Sequence, residues 1–227
     1  MKKLKTFLAG AALFAFMLNV QAQMVDPKYY TVIDPPMPTA AGEGKIEVAE
    51  IFWYSCPHCY GFESYISDWK KDQPEDVHLE KIPAVFKNGR WEHFAQAYYA
   101  AEVLGVLDKM HVPIFEALHE PAKRRRLRSA KEFQPMFAEY GVNEKQFYDT
   151  FNSFAVDNKV RFAQQRTVAS GATGVPAVIV NGKYLLSTST INGYAAMLKV
   201  ADELVNQERA AMRQTAQSES STQVAEK

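Results

Sequence analysis

The stretch Glu50-Ile51-Phe52-Trp53-Tyr54-Ser55-Cys56-Pro57-His58-Cys59 holds both cysteines of this 227-residue chain. Its first half belongs to a β-branched and aromatic run, Glu47 to Tyr54, that reads as a buried strand. The strand leads straight into Cys56. From Pro57 to about Lys71 the apolar residues Tyr60, Phe62, Tyr65, Ile66 and Trp69 fall at mostly helical spacing. Pro57 suits the first helical position, where a missing N–H costs nothing. Val77 to Ile82 reads as a second strand, so the motif sits at the junction of a strand–helix–strand unit.

A lone C-x-x-C makes a poor staple, because closing so short a loop hardly restricts the unfolded chain. It makes a good reversible dithiol. Cys56 opens a helix, where backbone N–H groups and the helix dipole favour an anion. His58 adds an imidazole that can donate a hydrogen bond or a charge. Both favour thiolate over thiol, and a tenfold preference is worth ~1.4 kcal/mol. That stabilisation exists only in the reduced form, so the disulfide is the less stable state and the pair is expected to oxidise other thiols. In the expected cycle a substrate thiolate attacks Cys56, a second displaces it, and the more buried Cys59 re-forms the ring.

The chain around the motif fits export. Met1-Lys2-Lys3-Leu4-Lys5 is basic, an apolar run spans about Phe7 to Val20, and Val20-Gln21-Ala22 resembles a processing site. Residues 1–22 therefore read as a signal peptide cut after Ala22. Without the three leader lysines, 23 basic residues face 26 acidic ones, a net charge of about −3. That balance argues against nucleic acid as a partner. Export of a dithiol protein behind a short leader points to the periplasm, an oxidising compartment.

The later sequence repeats the β texture. Ala177-Val178-Ile179-Val180, then Asn181-Gly182, then Lys183 to Leu186 reads as a hairpin. A helix carrying Tyr194, Met197, Leu198, Ala201, Leu204 and Val205 follows. Between the two β regions, helices fit Trp91–Leu104, Asp108–Glu120, Lys131–Tyr140, Asn143–Phe151 and Phe154–Ser170, with Gly105, Gly141 and Gly171 as stops. Asp26 to Pro38 reads as an extended arm, and the last ten or so residues as disordered. The simplest architecture is a split α/β domain with an inserted helical domain.

The motif, its flanks (Glu50 to Ser55 and Tyr60 to Glu63), Asn152-Ser153-Phe154 and Gly174-Val175-Pro176-Ala177 onward to Tyr184 resemble the DsbA family of thioredoxin-fold oxidoreductases. The resemblance runs over nearly the whole chain after the leader. It implies a thioredoxin-like α/β fold in two parts, residues 23–85 and 164–206, around an all-helical insertion at 86–163, with a polar tail at 207–227. It implies Cys56 as exposed nucleophile and Cys59 as its buried partner. Pro176, after Val175, would be a cis-proline facing the disulfide, with the Val175 backbone offered to a substrate peptide. Glu50, beneath the motif, would pair with Lys81 and tune proton transfer. Glu63 also matches the family, but an exposed helix acid is the default expectation for it.

The implied activity is a periplasmic dithiol oxidase that passes its disulfide to unfolded exported proteins with free cysteines. A membrane DsbB-type, quinone-linked partner would reoxidise it, and a monomer without organic cofactor is expected. A zinc site wants about four ligands, and His78, His93, His111 and His119 are scattered over other elements, so no metal is expected. A disulfide isomerase or reductase on the same fold, a peptide-binding chaperone and a metal carrier remain alternatives. The run Lys123-Arg124-Arg125-Arg126-Leu127-Arg128 reads as a solvated turn or, more sharply, as a contact for an acidic partner.

Overall fold

The computed structural model describes residues 25–86 and 91–225, with side chains described up to residue 218. The leader and its cleavage site lie outside the described residues. Among the described residues the sheet has five strands: β1 (Thr31–Val32), β2 (Ile46–Phe52), β3 (Val77–Pro83), β4 (Ala177–Val180) and β5 (Tyr184–Ser187). Their order is β1-β5-β4-β2-β3. Only β2 and β3 run parallel, joined through helix α1 (Pro57–Lys71) as the sequence predicts. The other three pairings are antiparallel.

All seven residues of β2 are buried. With side chains alternating between faces, the sheet separates two cores. Ile46 and Val48 join Val178, Val180 and Leu186 in a core closed by Phe62 and Ile66 of α1 and by Met197, Ala201 and Leu204. The last three belong to helix α7 (Tyr194–Ala225). Ala49 and Ile51 face the other way with Ala177 and Ile179, into a core shared with the insertion.

The insertion consists of α2 (Glu92–Val103), α3 (Leu107–His119), α4 (Ala130–Ala138), α5 (Glu144–Phe151) and α6 (Phe154–Ala169). Each predicted helix is present within about two residues. Two of the starts are marked by a side-chain cap. Asn143 and Gln146 form a reciprocal capping box on α5, and Ser153 Oγ accepts from Val156 N–H on α6. Pro135 lies inside α4. The expected border between residues 163 and 164 falls inside α6. That helix is bound to the sheet by a buried ion pair, Arg166 to Glu47 of β2, with Arg166 Nη1 also 3.8 Å from Glu80.

Two expectations change. The arm from Asp26 to Pro38 is not simply extended: it holds a 3₁₀ turn at Pro27–Tyr29 and then β1, paired to β5. The region beyond Gln207, expected to end in disorder, continues α7 to Ala225. Among the described residues no helix is long and apolar enough to cross a membrane.

Candidate active site

Cys56 occupies the N-cap position of α1, with Pro57 in the first turn. A tight turn sets it there: Cys56 N–H donates to Trp53 O at 2.9 Å, and Tyr60 N–H donates to Cys56 O at 3.1 Å. Both cysteines are free thiols in this structure. Cys59, one turn on, is fully buried, and Trp53 N–H points at its sulfur across 3.4 Å. The expected exposed nucleophile is more covered than foreseen, since Cys56 is only 9% exposed. Pro57 and His58 are exposed beside it.

The two sulfurs differ sharply in acidity. The Cys59 hydrogen bond pulls the Cys56 pKa down to about 6, against the opposing effect of burial; backbone N–H groups of Cys59 and His58 help, and the His58 charge comes last. The helix start therefore contributes more through its amides than the imidazole does. Burial pushes Cys59 far above the ordinary thiol range, with the Cys56 sulfur next and the Glu50 charge adding to it.

Val175 and Pro176 arrive from the far side of the chain. The Val175–Pro176 peptide is cis, as is Asp34–Pro35. The Val175 carbonyl lies 3.5 Å from Cys56 Sγ, where a thiol can donate to it. So the turn 56–59 and the loop before β4 meet at the reactive sulfur. Tyr194 of α7 braces the same turn by donating to His58 O at 2.9 Å.

Behind Cys59 lies a buried polar chain. Register places Lys81 of β3 directly opposite Glu50 of β2. Lys81 Nζ donates to Glu50 Oε2 at 3.0 Å and to Glu63 Oε2 at 2.6 Å. Glu63 also accepts from Ser67 Oγ at 2.8 Å, and His111 Nε2 lies 3.1 Å from its Oε2. His111 Nδ1 is 2.7 Å from Tyr54 Oη. Burial holds His111 below its ordinary pKa and Tyr54 well above its own. A consistent proton assignment follows: Tyr54 O–H donates to Nδ1, and neutral His111 donates from Nε2 to the Glu63 carboxylate.

Glu63 is thus a correction: it is 6% exposed, not a surface acid. Burial opposes its ionisation, but the contact with His111, through its hydrogen bond first, and then Lys81 bring it to about 2. Glu50 goes the other way. Burial raises it to about 7, Lys81 opposes and Glu63 adds to the rise. Its Oε1 has no hydrogen-bond partner among the described residues. Lys81 loses from burial and gains more from the two carboxylates, so it stays cationic.

Sequence reasoning missed His111 and Tyr54, and the signal was present. Cys59, Phe62, Glu63 and Ile66 follow the i, i+3, i+4, i+7 pattern of one helix face, so Glu63 sits in the buried row. On α3 the buried residues Met110, His111, Ile114 and Phe115, at i, i+1, i+4 and i+5, likewise put the histidine on the buried face. His119 was also passed over: it lies 2.8 Å from Tyr54 O and stacks with Tyr60, 5.4 Å between centroids. Tyr60 in turn donates to Glu120 at 2.7 Å, tying the active turn to the end of α3.

Residues 47–205 match the family model described as a DSBA-like thioredoxin domain. The chain belongs to this family. It is 38% identical to the thiol:disulfide interchange protein DsbA of Pseudomonas syringae pv. tomato, over 91% of this chain and 96% of that protein. The DsbA of Bordetella pertussis is 39% identical, over 89% of this chain and 95% of its own. Among solved structures, the E82I variant of Pseudomonas aeruginosa DsbA superposes with a TM-score of 0.77 at 37% identity, covering 83% of this chain and all (100%) of that one. DsbA of Xylella fastidiosa gives 0.76 at 37% identity, with 82% and 98% covered. The fold is thioredoxin-like α/β with a helical insertion, and the protein is a thiol–disulfide oxidoreductase.

Proposed function

We propose that the protein works as an oxidase, donating a Cys56–Cys59 disulfide to unfolded, newly exported proteins in the periplasm. The observation that carries this direction is the opposition of the two thiols, Cys56 pulled down to about 6 and Cys59 pushed up. At neutral pH the reduced protein keeps a stabilised Cys56 thiolate that the disulfide lacks. Reduction of the protein is thereby favoured, and its disulfide is readily given away.

The exchange proceeds in two displacements. A substrate thiolate attacks Cys56 Sγ, forming a mixed disulfide and breaking the Cys56–Cys59 bond. Cys59 leaves with the electron pair and, being strongly basic, takes a proton. Protonated Glu50, raised to about 7 and coupled electrostatically to Cys59, is the donor in this reading. A second substrate thiolate then attacks the substrate sulfur of the mixed disulfide, and Cys56 departs as a stabilised anion. The substrate gains a disulfide and the protein gains two electrons. Those pass to a membrane DsbB-type, quinone-linked reoxidase. Val175 and Pro176 border the entry to Cys56, where an extended peptide can align. The reading needs no organic cofactor and no metal, and a monomer suffices.

Thermal melting of the two redox forms tests the direction. The reduced form is expected to melt higher. A clearly higher melting point for the oxidised form overturns the oxidase reading in favour of a reductase or a structural bridge.

A further inference from the structure

The basic run 123–128 is not a turn in open solvent. Arg125 N–H donates to Ala117 O at 2.7 Å, and Leu127 is only 1% exposed. Held at these two points, the loop spreads its arginines around a cavity of about 860 Å³. Arg124, Arg125, Arg126 and Arg128 form part of its wall, and Trp53 and Ser55 another part. Ser55 immediately precedes the reactive Cys56. Among the described residues no acidic side chain lines the cavity.

The loop is only partly neutralised. Lys123 pairs with Glu116, Arg125 with Glu139 and Arg126 with Glu132. Among the described residues Arg124 and Arg128 have no carboxylate at ion-pair distance, and both are exposed. Two uncompensated guanidiniums beside an 860 Å³ cavity suit carboxylates. An extended peptide advances ~3.3–3.6 Å per residue. Carboxylates a few residues from a bound cysteine therefore reach this wall.

We propose that the arginine-lined cavity is a subsite for acidic segments flanking the reactive cysteine of a substrate polypeptide. It deepens the oxidase reading and rests on it, because it takes unfolded polypeptides as the reactants. The subsite gives acidic clients an advantage without touching the sulfur chemistry.

The test uses two peptides of equal length with one cysteine, flanked either by Asp and Glu or by Asn and Gln. Serine versions are titrated against the full chain carrying Cys56→Ser, and the cysteine versions are followed for exchange with the oxidised protein. The acidic peptide is expected to bind about five- to tenfold tighter at low ionic strength, the scale for two exposed charge pairs. The preference should vanish at ~1 M salt, where the Debye length is ~3 Å. R124Q/R128Q should bring the ratio of affinities close to one, while R124K/R128K, which keeps the charge, should retain it. Equal binding by the unaltered arginines, or an unchanged ratio in R124Q/R128Q, overturns the proposal. So does arginine-dependent binding to anionic phosphatidylglycerol vesicles that the acidic peptide fails to compete. Failure of the oxidised protein to react with either peptide counts against the oxidase reading alone, since the binding arm still reads the subsite.

Discussion

His111 and Glu63 meet in the interior, Nε2 to Oε2 at 3.1 Å, and this contact decides which of two buried carboxylates holds a proton. Glu63 takes His111, Ser67 and the shorter arm of Lys81; Glu50 keeps the longer arm and an unpartnered oxygen. Two acids share one lysine, and their proton affinities are driven apart.

Glu63 should therefore carry stability as an anion. Its folded pKa of about 2 lies below the ordinary 4.5, so its contribution is complete above ~4.5 and fades as pH falls towards 2. Glu63→Ala should cost ~3–5 kcal/mol at pH 7, the usual penalty for breaking a buried pair. Urea unfolding from ~pH 6 down to ~pH 2.5 should show the gap to the native sequence closing. A gap independent of pH would mean that packing, not charge, is what Glu63 supplies.

Glu50 should behave in the opposite sense. Its folded pKa of about 7 lies above 4.5, so the folded state binds the proton more tightly. Stability tied to it is full below ~4.5 and is lost as pH rises through ~7. Glu50→Gln, a neutral mimic of the protonated acid, should be more stable than the native sequence at ~pH 8 and no different near ~pH 4.5. The same variant should slow the step in which Cys59 leaves and flatten its pH dependence around 7. Unaltered exchange kinetics in stopped flow would remove Glu50 from the proton path.

The Cys56 thiolate rests on a hydrogen bond from Cys59 and on backbone amides, with the His58 charge the smallest contributor. His58→Ala deletes the imidazole and keeps the amides. The Cys56 pKa should rise from about 6 yet stay below the ~8.5 of a free thiol. Ultraviolet titration of thiolate absorbance reads this directly. A return to ~8.5 would assign the whole effect to the imidazole.

Much of this site was legible as sequence because its parts are local. Strand, proline and two cysteines fall within ten residues, and the Asn181-Gly182 signal marks the hairpin carrying β4. The pairing inside the buried network was not legible. Glu63 and His111 lie 48 residues apart, and nothing in either helix says that its polar member faces the other. Both sit in apolar rows, where an acid or a histidine is a sign of burial with a partner. The two-residue β1 was invisible for a different reason: so short a strand has no periodicity to read.

The hairpin yields a prediction of its own. Asn181 and Gly182 both have positive φ, 49° and 67°, as a turn of this hand requires. A Cβ on Gly182 would stand 2.0 Å from the Met37 carbonyl oxygen, and Met37 N–H donates to Gly182 O at 2.8 Å. Gly182→Ala must move the arm or the turn. It should cost more than ~1 kcal/mol in unfolding free energy and speed proteolysis of the arm before β2. A variant as stable and as resistant as the native sequence would show that the arm is not held there.

The Glu47–Arg166 pair tests whether stability and redox poise can be separated. Glu47 and Arg166 are 0% and 3% exposed, and the pair joins β2 to α6 at the end of the strand away from Cys56. Arg166→Leu leaves Glu47 buried and unpaired, at a cost of ~3–5 kcal/mol. Glu47→Gln with Arg166→Leu should recover part of that loss, since the second change removes the stranded charge. Redox poise depends on the difference in stability between the dithiol and disulfide forms. A defect that neither sulfur touches lowers both forms alike. The melting points of the reduced and oxidised Arg166→Leu protein should therefore fall together, with their spacing kept. A changed spacing would show that β2 transmits strain from this ion pair to the cysteines.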